Sequence, residues 1–206
     1  MSTDRPRADT RARITDATFT LLAEHGLAGI TMSAIAAQAG IARQTLYNHF
    51  PDVDSILATA MAEHHHDDLR TLAGMLATIP TATGRLEHLA RHTTVTAAQH
   101  GTLPSLHEGL SPPAQQAARH HDEQIRSIIN DTLTHGQHTG ELAPEIDPAL
   151  HAVLVHHLLH GAAELAATHP DDLTRITDVA IDLLHAATHP RLDAATGHSS
   201  EKTRPP

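Results

Sequence analysis

The sequence contains no cysteine and no tryptophan among its 206 residues, and only one tyrosine and two phenylalanines. Without cysteine the chain cannot form disulfides, use a catalytic thiolate or bind zinc through sulfur. No apolar run approaches the roughly 20 residues that a membrane-spanning helix needs. The N-terminal stretch MSTDRPRADTRARI is rich in arginine and lacks the apolar segment of a secretory signal. We therefore expect a cytoplasmic protein with no membrane partner.

The few aromatic side chains and the charge are both unevenly spread along the chain. Phe19, Tyr47 and Phe50 all lie in the first fifty positions. The formal net charge is −10, yet residues 1–50 carry five arginines against four acids, a net of +1, which leaves −11 for residues 51–206. An acidic body with an arginine-tipped head can present only that head to a polyanion. A solvated N-terminal tail with a few charges would give the same composition.

Helix is the only regular structure that the sequence predicts, because alternating runs of β-branched and aromatic residues are absent. The predicted helices cover residues 9–25, 32–39, 42–49, 53–77, 81–100, 104–110, 112–136, 148–168 and 172–188. This pattern predicts an all-α fold of about nine helices. We expect a three-helix head at residues 1–51, a larger helical body at residues 52–190 and a disordered tail at residues 191–206.

Residues 32–49 place two short helices on either side of a tight turn at Gly40, which is the spacing of a helix-turn-helix. An α-helix fits the major groove of B-DNA, and a second helix packed across it fixes its angle. In the second helix Leu46 faces inward, and most of its neighbours carry hydrogen-bond donors. The pattern therefore indicates a helix that can contact the edges of base pairs.

The stretch from Arg13 to Leu57 resembles the DNA-binding head of the tetracycline-repressor (TetR) family. The resemblance rests on Ile14-x-x-Ala17, Phe19, Gly26, Thr31, Ile35-Ala36, Ala39-Gly40-Ile41, Thr45-Leu46-Tyr47 and His49-Phe50. It implies a sequence-specific transcriptional regulator, a ligand-responsive repressor that acts as a homodimer on a palindromic double-stranded DNA operator. The remainder of the chain has the length of that family's ligand-binding and dimerisation body but adds no diagnostic motif.

The resemblance also implies which residues contact DNA. They are Arg43, Gln44, Thr45, Tyr47 and His49 of the second helix, Thr31 of the first helix, and Arg11 and Arg13 of the arm. Arg43 and Gln44 would read base edges, and Thr45 would touch a base or a phosphate. Thr31, Tyr47 and His49 would hold phosphates, and the two arginines of the arm would contact phosphates or the minor groove. Simpler interpretations remain open: Thr31 is first a helix cap, Tyr47 is a candidate core residue, and exposed polar side chains need no partner but water.

Two positions depart from the family pattern. The family usually has Ser or Thr where this chain has Ala42, so the second helix lacks a side-chain cap worth about 1 kcal/mol. The family usually has Lys where this chain has Val53, which removes one phosphate contact. We therefore expect DNA binding that is weaker or less salt-dependent than is typical of the family.

The last two predicted helices carry stripes of small and apolar residues at helical spacing. The family pairs these helices with their copies in a four-helix dimer bundle. The residues that we assign to this interface are Leu154, Leu158, Gly161, Leu165, Ile176, Ala180 and Leu183. An intramolecular core would produce a similar pattern.

Members of the family commonly bind a small molecule inside the helical body. For this chain we expect an unknown effector in a cavity lined by Met61, Leu72, Met75, Leu89, His92, Leu106, His107 and Ile125. Without aromatic side chains in the body, recognition would depend on aliphatic walls and imidazole hydrogen bonds.

Histidine is unusually abundant, with 21 residues, and this suggests an alternative function as a metal-binding protein or metal-dependent enzyme. The candidate ligands are His64-His65-His66-Asp67-Asp68, His88 with His92, His120-His121-Asp122-Glu123, and His156 with His160. So many histidines in helices produce such pairs by chance, and adjacent ones point about 100° apart. The sequence has no HExxH, nucleophile elbow, P-loop or Rossmann glycines. We therefore predict that the protein is not an enzyme and binds neither a cofactor nor a metal ion. A helical interaction bundle that has no role on DNA is a third alternative.

Overall fold

The computed structural model describes residues 4–100 and 110–188, and within them it contains eight α-helices and no strand. They are α1 (Asp4–His25), α2 (Met32–Gln38), α3 (Arg43–His49), α4 (Val53–Ala77), α5 (Ala82–His100), α6 (Pro112–Thr139), α7 (Pro148–Thr168) and α8 (Leu173–Thr188). The predicted all-α fold with a helix-turn-helix head is confirmed. Residues 104–109 of the predicted short helix and the predicted tail lie outside the described residues.

Two helix ends differ from the sequence prediction. α1 begins at Asp4 rather than at residue 9, and α6 continues past Gly136 to Thr139. Gly140 ends α6, because its φ of 77° lies in the left-handed region that terminates helices and favours glycine. Gly136 instead lies inside the helix, where α6 passes so close to the start of α5 that a side chain has no room.

The head is built around residues that the amphipathic pattern places on the inner faces of α1, α2 and α3. Ile14, Ile35 and Leu46 are fully buried, and Phe50 closes the same core. The core does not end with the head, because the start of α4 and the first turns of α6 pack into it. Its members from these two helices and from the segment before α6 are Ile56, Leu57, Met61, Leu110, Ala114 and Ala118.

A second core fills the body between α4, α5, α6, α7 and α8. Its largest fully buried side chains are Leu72, Leu86, Leu89, Ile129, Leu133, Leu142 and Leu184. Two polar contacts fix the helices around it. The Glu141 carboxylate accepts from the backbone N–H of Ala82 at 2.6 Å, which satisfies the start of α5. The hydroxyls of Thr94 and Thr177 lie 2.8 Å apart in the interface of α5 and α8.

The close approach at Gly136 generates a stability prediction. A Cβ there would lie 2.6 Å from side-chain atoms of Ala82 and Leu142, so Gly136→Ala forces the helices apart. We expect it to lower the free energy of unfolding by about 1–3 kcal/mol, measured by urea denaturation. Gly74→Ala is the matched control, because nothing lies within 4 Å of that position in α4. The control should raise stability by up to about 1 kcal/mol through helix propensity, and equal effects of both variants would contradict the packing account.

Candidate nucleic-acid interface

One side-chain cap and the backbone geometry of the turn between α2 and α3 order these two helices. Thr31 caps α2, since its Oγ1 accepts from the Ala34 N–H at 3.1 Å. Gly40 takes φ 63° at the end of α2, and the N–H of Ile41 then donates to the Ala36 carbonyl at 3.0 Å. The chain therefore reverses over a few residues and sets α3 across α2, as a helix-turn-helix requires.

α3 turns one apolar side chain inward and its polar side chains outward. Leu46 is completely buried, whereas Arg43, Gln44 and Asn48 are exposed. Tyr47 is 52% exposed, so its simpler interpretation as a core residue is wrong. The surface of α3 is thus a row of hydrogen-bond donors and acceptors with no acidic side chain.

Three further residues of the predicted interface border this row. Thr45 and His49 are half-buried at its edges, and Thr31 is exposed at the start of α2. Asn48 belongs to the same surface, although the resemblance did not assign it a contact. Its Oδ1 lies 3.4 Å from the Gln44 Nε2, one helical turn earlier, so the two side chains face the same way.

The arginines of the predicted arm make contacts inside the head. Arg13 donates through its guanidinium to the backbone carbonyl of Ala39 and, at 3.3 Å, to that of Gly40. It therefore holds α1 against the turn between α2 and α3. Arg11 lies over the Phe50 ring, 4.6 Å from its centre, and 3.7 Å from the Glu63 carboxylate of α4. Both side chains orient the head, a role that the sequence pattern did not reveal.

The two positions that depart from the family pattern lie at the starts of α3 and α4. Ala42 occupies the N-cap of α3 with extended backbone, φ −69° and ψ 144°, and gives the helix no side-chain hydrogen bond. Val53, the first residue of α4, is half-buried against the core of the head. An apolar side chain there adds packing at the place where the family usually has a lysine.

α7 and α8 enclose an open, apolar cleft of about 650 Å³ on the outside of the body. Six of the seven residues predicted for a dimer interface line it, namely Leu158, Gly161, Leu165, Ile176, Ala180 and Leu183. The seventh, Leu154, is 57% exposed on the same helix. The structure thus gathers this set on one side of α7 and α8. Val179 also lines the cleft, and Leu150 and Val153 are exposed on α7.

The residues predicted to line an effector cavity are not gathered in the same way. Leu72 and Leu89 belong to the body core and Ile125 packs against it, but Met61 belongs to the core of the head. Met75 is 39% exposed, and the Nε2 of His92 lies 3.0 Å from the Asp68 carboxylate. Leu106 and His107 lie outside the described residues.

The histidine clusters do not form a metal-binding arrangement. Within residues 4–100 and 110–188, no three His, Asp or Glu side chains converge in a way that could hold an ion. The paired rings of His88 and His92 have centres 6.3 Å apart, and those of His156 and His160 6.2 Å.

Within residues 4–100 and 110–188, no helix has both the length and the apolar character needed to cross a bilayer.

Comparison with known families agrees with this geometry. Residues 14–61 match the family described as bacterial regulatory proteins, tetR family. The match spans α2, the turn, α3 and the parts of α1 and α4 that pack against them. Over these residues the chain is similar to the tetR family.

Relatives that are named as transcriptional regulators match about a third of the chain. An uncharacterized HTH-type transcriptional regulator of Mycobacterium tuberculosis is 37% identical over 70 residues. A counterpart in Mycobacterium bovis is 36% identical over 64 residues. The first match covers 34% of this chain and 37% of the relative, so the chain matches little more than a third of that relative's length.

Solved structures extend the similarity to the body, as a shared fold. A transcriptional regulator from Saccharomonospora viridis in complex with choline superposes with a TM-score of 0.79 and 20% identity, over 89% of this chain and 100% of that one. The regulator FadR from Bacillus subtilis in complex with stearoyl-CoA superposes with a TM-score of 0.74 and 21% identity, over 86% of this chain and 99% of that one.

The uncapped start of α3 generates a prediction. The backbone at Ala42 already has the extended conformation of an N-cap, so Ala42→Ser can accept from an N–H of the first turn without rearrangement. We expect the free energy of unfolding to rise by about 1 kcal/mol in urea denaturation. Ala37→Ser, at an exposed position inside α2, is the control and should lower it by a few tenths of a kcal/mol. Equal stability of the two variants would show that α3 needs no cap.

Proposed function

We propose that this protein is a regulator of the tetR family: a sequence-specific DNA-binding repressor that acts as a homodimer and responds to a small-molecule effector. The observation that carries the proposal is the outward surface of α3. It presents Arg43, Gln44, Tyr47 and Asn48 to solvent on a helix whose opposite side is anchored by Leu46. A rigid helix with this surface fits the major groove.

The polar side chains that the resemblance assigns to DNA contact have chemistry that suits this role. Arg43 can donate two hydrogen bonds to guanine O6 and N7, and Gln44 can pair with adenine N6 and N7. Tyr47, Thr45 and His49 donate to phosphates along the groove edge. The Thr31 oxygen accepts from the backbone, which leaves its O–H to donate to a phosphate. Arg11 and Arg13 enter the proposal as residues that hold α1 in place rather than as free phosphate ligands.

A second copy of the chain is the occupant that we propose for the cleft between α7 and α8. Six of the nine large apolar side chains that are exposed in the described residues lie on these two helices. Exposed apolar surface of this extent indicates a protein interface. A two-fold dimer uses the same surface twice, and its two heads then meet two half-sites of a palindromic operator. Two linked contacts raise affinity far beyond that of one head.

The effector is proposed from the fold. The two solved relatives superposed on this chain carry choline and stearoyl-CoA in their complexes, which are chemically unlike each other. We propose that the body of this protein likewise accepts a small molecule beside the core that contains Leu72, Leu89 and Ile125. Since the described body has no aromatic side chain, its walls would be aliphatic. A ligand that binds more tightly at one spacing of the two heads favours that spacing. It therefore changes the affinity for the operator by as much as its own affinity differs between the two spacings.

Loss of the α3 surface tests DNA recognition. Arg43→Ala combined with Tyr47→Ala should weaken binding to a duplex from the region upstream of the protein's own gene by at least tenfold, since each direct contact contributes about 1–3 kcal/mol. Fluorescence anisotropy measures the affinity, and thermal denaturation should show an unchanged fold because both side chains are exposed. Arg70→Ala, which removes an exposed arginine of α4, is the control. If the double variant bound as tightly as this control, α3 would not be the reading helix.

Loss of the α7–α8 surface tests the dimer. Leu165→Glu combined with Leu183→Glu places charges where the second copy would pack, and both positions are about half exposed in one chain. Analytical ultracentrifugation should show a dimer for the wild type and a folded monomer for this variant. Met75→Glu, at an exposed apolar position of α4, should remain dimeric. A wild type that stays monomeric at micromolar concentration would contradict the proposed assembly.

A further inference from the structure

Two histidine-rich stretches of the sequence meet where α4 packs against α6. The rings of His65 in α4 and His121 in α6 stack nearly parallel, with centres 4.1 Å apart and planes inclined by 22°. The Nδ1 atom of each ring is buried and makes no hydrogen bond within the described part of the chain. Each stacked ring therefore has one nitrogen that is shielded from solvent and has no hydrogen-bond partner among the described residues, which is unusual for a buried polar atom.

Further titratable groups face the stacked pair from four helices. His64 and Asp68 lie on α4 beside it, Asp122 lies on α6, and His92 and His156 approach from α5 and α7. Asp68 Oδ1 lies 3.0 Å from His92 Nε2, and Asp122 Oδ1 lies 3.5 Å from His156 Nε2. Each of these two carboxylates thus has an imidazole partner outside the stacked pair. If either stacked ring gains a proton, its positive charge must therefore share a carboxylate that already has an imidazole partner.

Burial keeps the stacked pair neutral. It lowers the pKa of His65 from 6.5 to about 3, and the neighbouring imidazoles of His121 and His64 act in the same direction. Burial also lowers the pKa of His121, although Asp68 and Asp122 oppose this effect. In the separated state both rings return to an ordinary pKa near 6.5. The contact is therefore fully stabilising above about pH 6.5 and weakens as the pH falls toward 3, because the separated state binds more protons.

The stacked pair lies at the joint between the head and the body. The ring of His64 lies 4.3 Å from that of Phe19 in α1, measured between centres. The helix that carries His121 also sends Ala114 and Ala118 into the core of the head. A change in how α4 packs against α6 therefore reaches the helices that position α3.

We propose that the stacked imidazoles of His65 and His121 form a proton-sensitive joint: acidification separates α4 from α6, and the head then releases its operator. Only the last step rests on the proposed function in DNA binding. The joint itself is a property of the fold. Protonation of the effector or of exposed histidines would also make operator binding depend on pH. The variants below distinguish these effects from protonation of the stacked pair.

The experiment compares the half-buried, stacked histidines with exposed histidines next to them. His65→Phe combined with His121→Phe keeps two stacked rings and removes the groups that titrate. Adjacent helix positions point about 100° apart, so His66→Gln combined with His120→Gln changes two exposed histidines of the same helices and serves as the control. If the phenylalanine variant does not fold at pH 7.5, His65→Gln combined with His121→Gln replaces it.

The first measurement is urea denaturation at pH 7.5 and at pH 5.5. Between these values each histidine that charges only in the separated state lowers the folding equilibrium constant by up to about tenfold. We expect acidification to lower the folding equilibrium constant of the wild type and of the exposed control by up to about 100-fold more than that of the double phenylalanine variant. If the double phenylalanine variant lost stability between pH 7.5 and pH 5.5 as steeply as the wild type, the proposal of a proton-sensitive joint would be overturned.

The second measurement is operator affinity at the same two pH values, by fluorescence anisotropy. We expect the wild type and the exposed control to lose operator affinity at pH 5.5, by at most the roughly 100-fold by which acid favours the separated state, and the double phenylalanine variant to keep its affinity. The general gain of positive charge at low pH is common to all three proteins, so it cancels in the comparison. Equal responses of all three would overturn the release step. If the wild type bound no duplex at pH 7.5, the proposed function would fail, while the denaturation series would still decide the joint.

Discussion

The orientation of α3 depends on the burial of one leucine. A helix of seven residues is too short to be stable alone in water, so α3 takes its shape and direction from what it packs against. Leu46 supplies that contact from the middle of the helix, and the turn at Gly40 sets the angle at which α3 arrives. With Leu46 anchored in the core, α3 holds Arg43 and Tyr47 exposed to solvent. The DNA recognition that we propose would therefore be a consequence of core packing.

The head is continuous with the body. Residues that close the core of the head come from α4 and from the start of α6, including Met61, Ala114 and Ala118. The same two helices carry the stacked pair and frame the body core. Any ligand or proton that changes the packing of α4 against α6 thus has a direct physical route to α3. Packed cores shift between discrete arrangements rather than deform smoothly, which favours switch-like behaviour.

The sequence predicted those features that short-range pattern controls. The periodic apolar residues, the glycine turn and the cap at Thr31 are local signals, and they gave the head and its exposed row correctly. Gly136 misled the prediction because glycine marks both helix ends and close helix contacts, and only the position of α5 distinguishes them. The contacts of Arg11 and Arg13, and the meeting of His65 with His121, join residues far apart in sequence, so no local pattern announces them.

The central claim is that α3 enters the major groove from each of two identical subunits. Methylation protection on DNA upstream of the protein's own gene tests it most directly, because dimethyl sulfate modifies guanine N7 in that groove. We predict two protected guanine clusters, related by two-fold symmetry and separated by about one helical turn or a multiple of it, with protection lost in Arg43→Ala. Binding that leaves every guanine N7 reactive, or that protects a single unpaired cluster, would contradict the account.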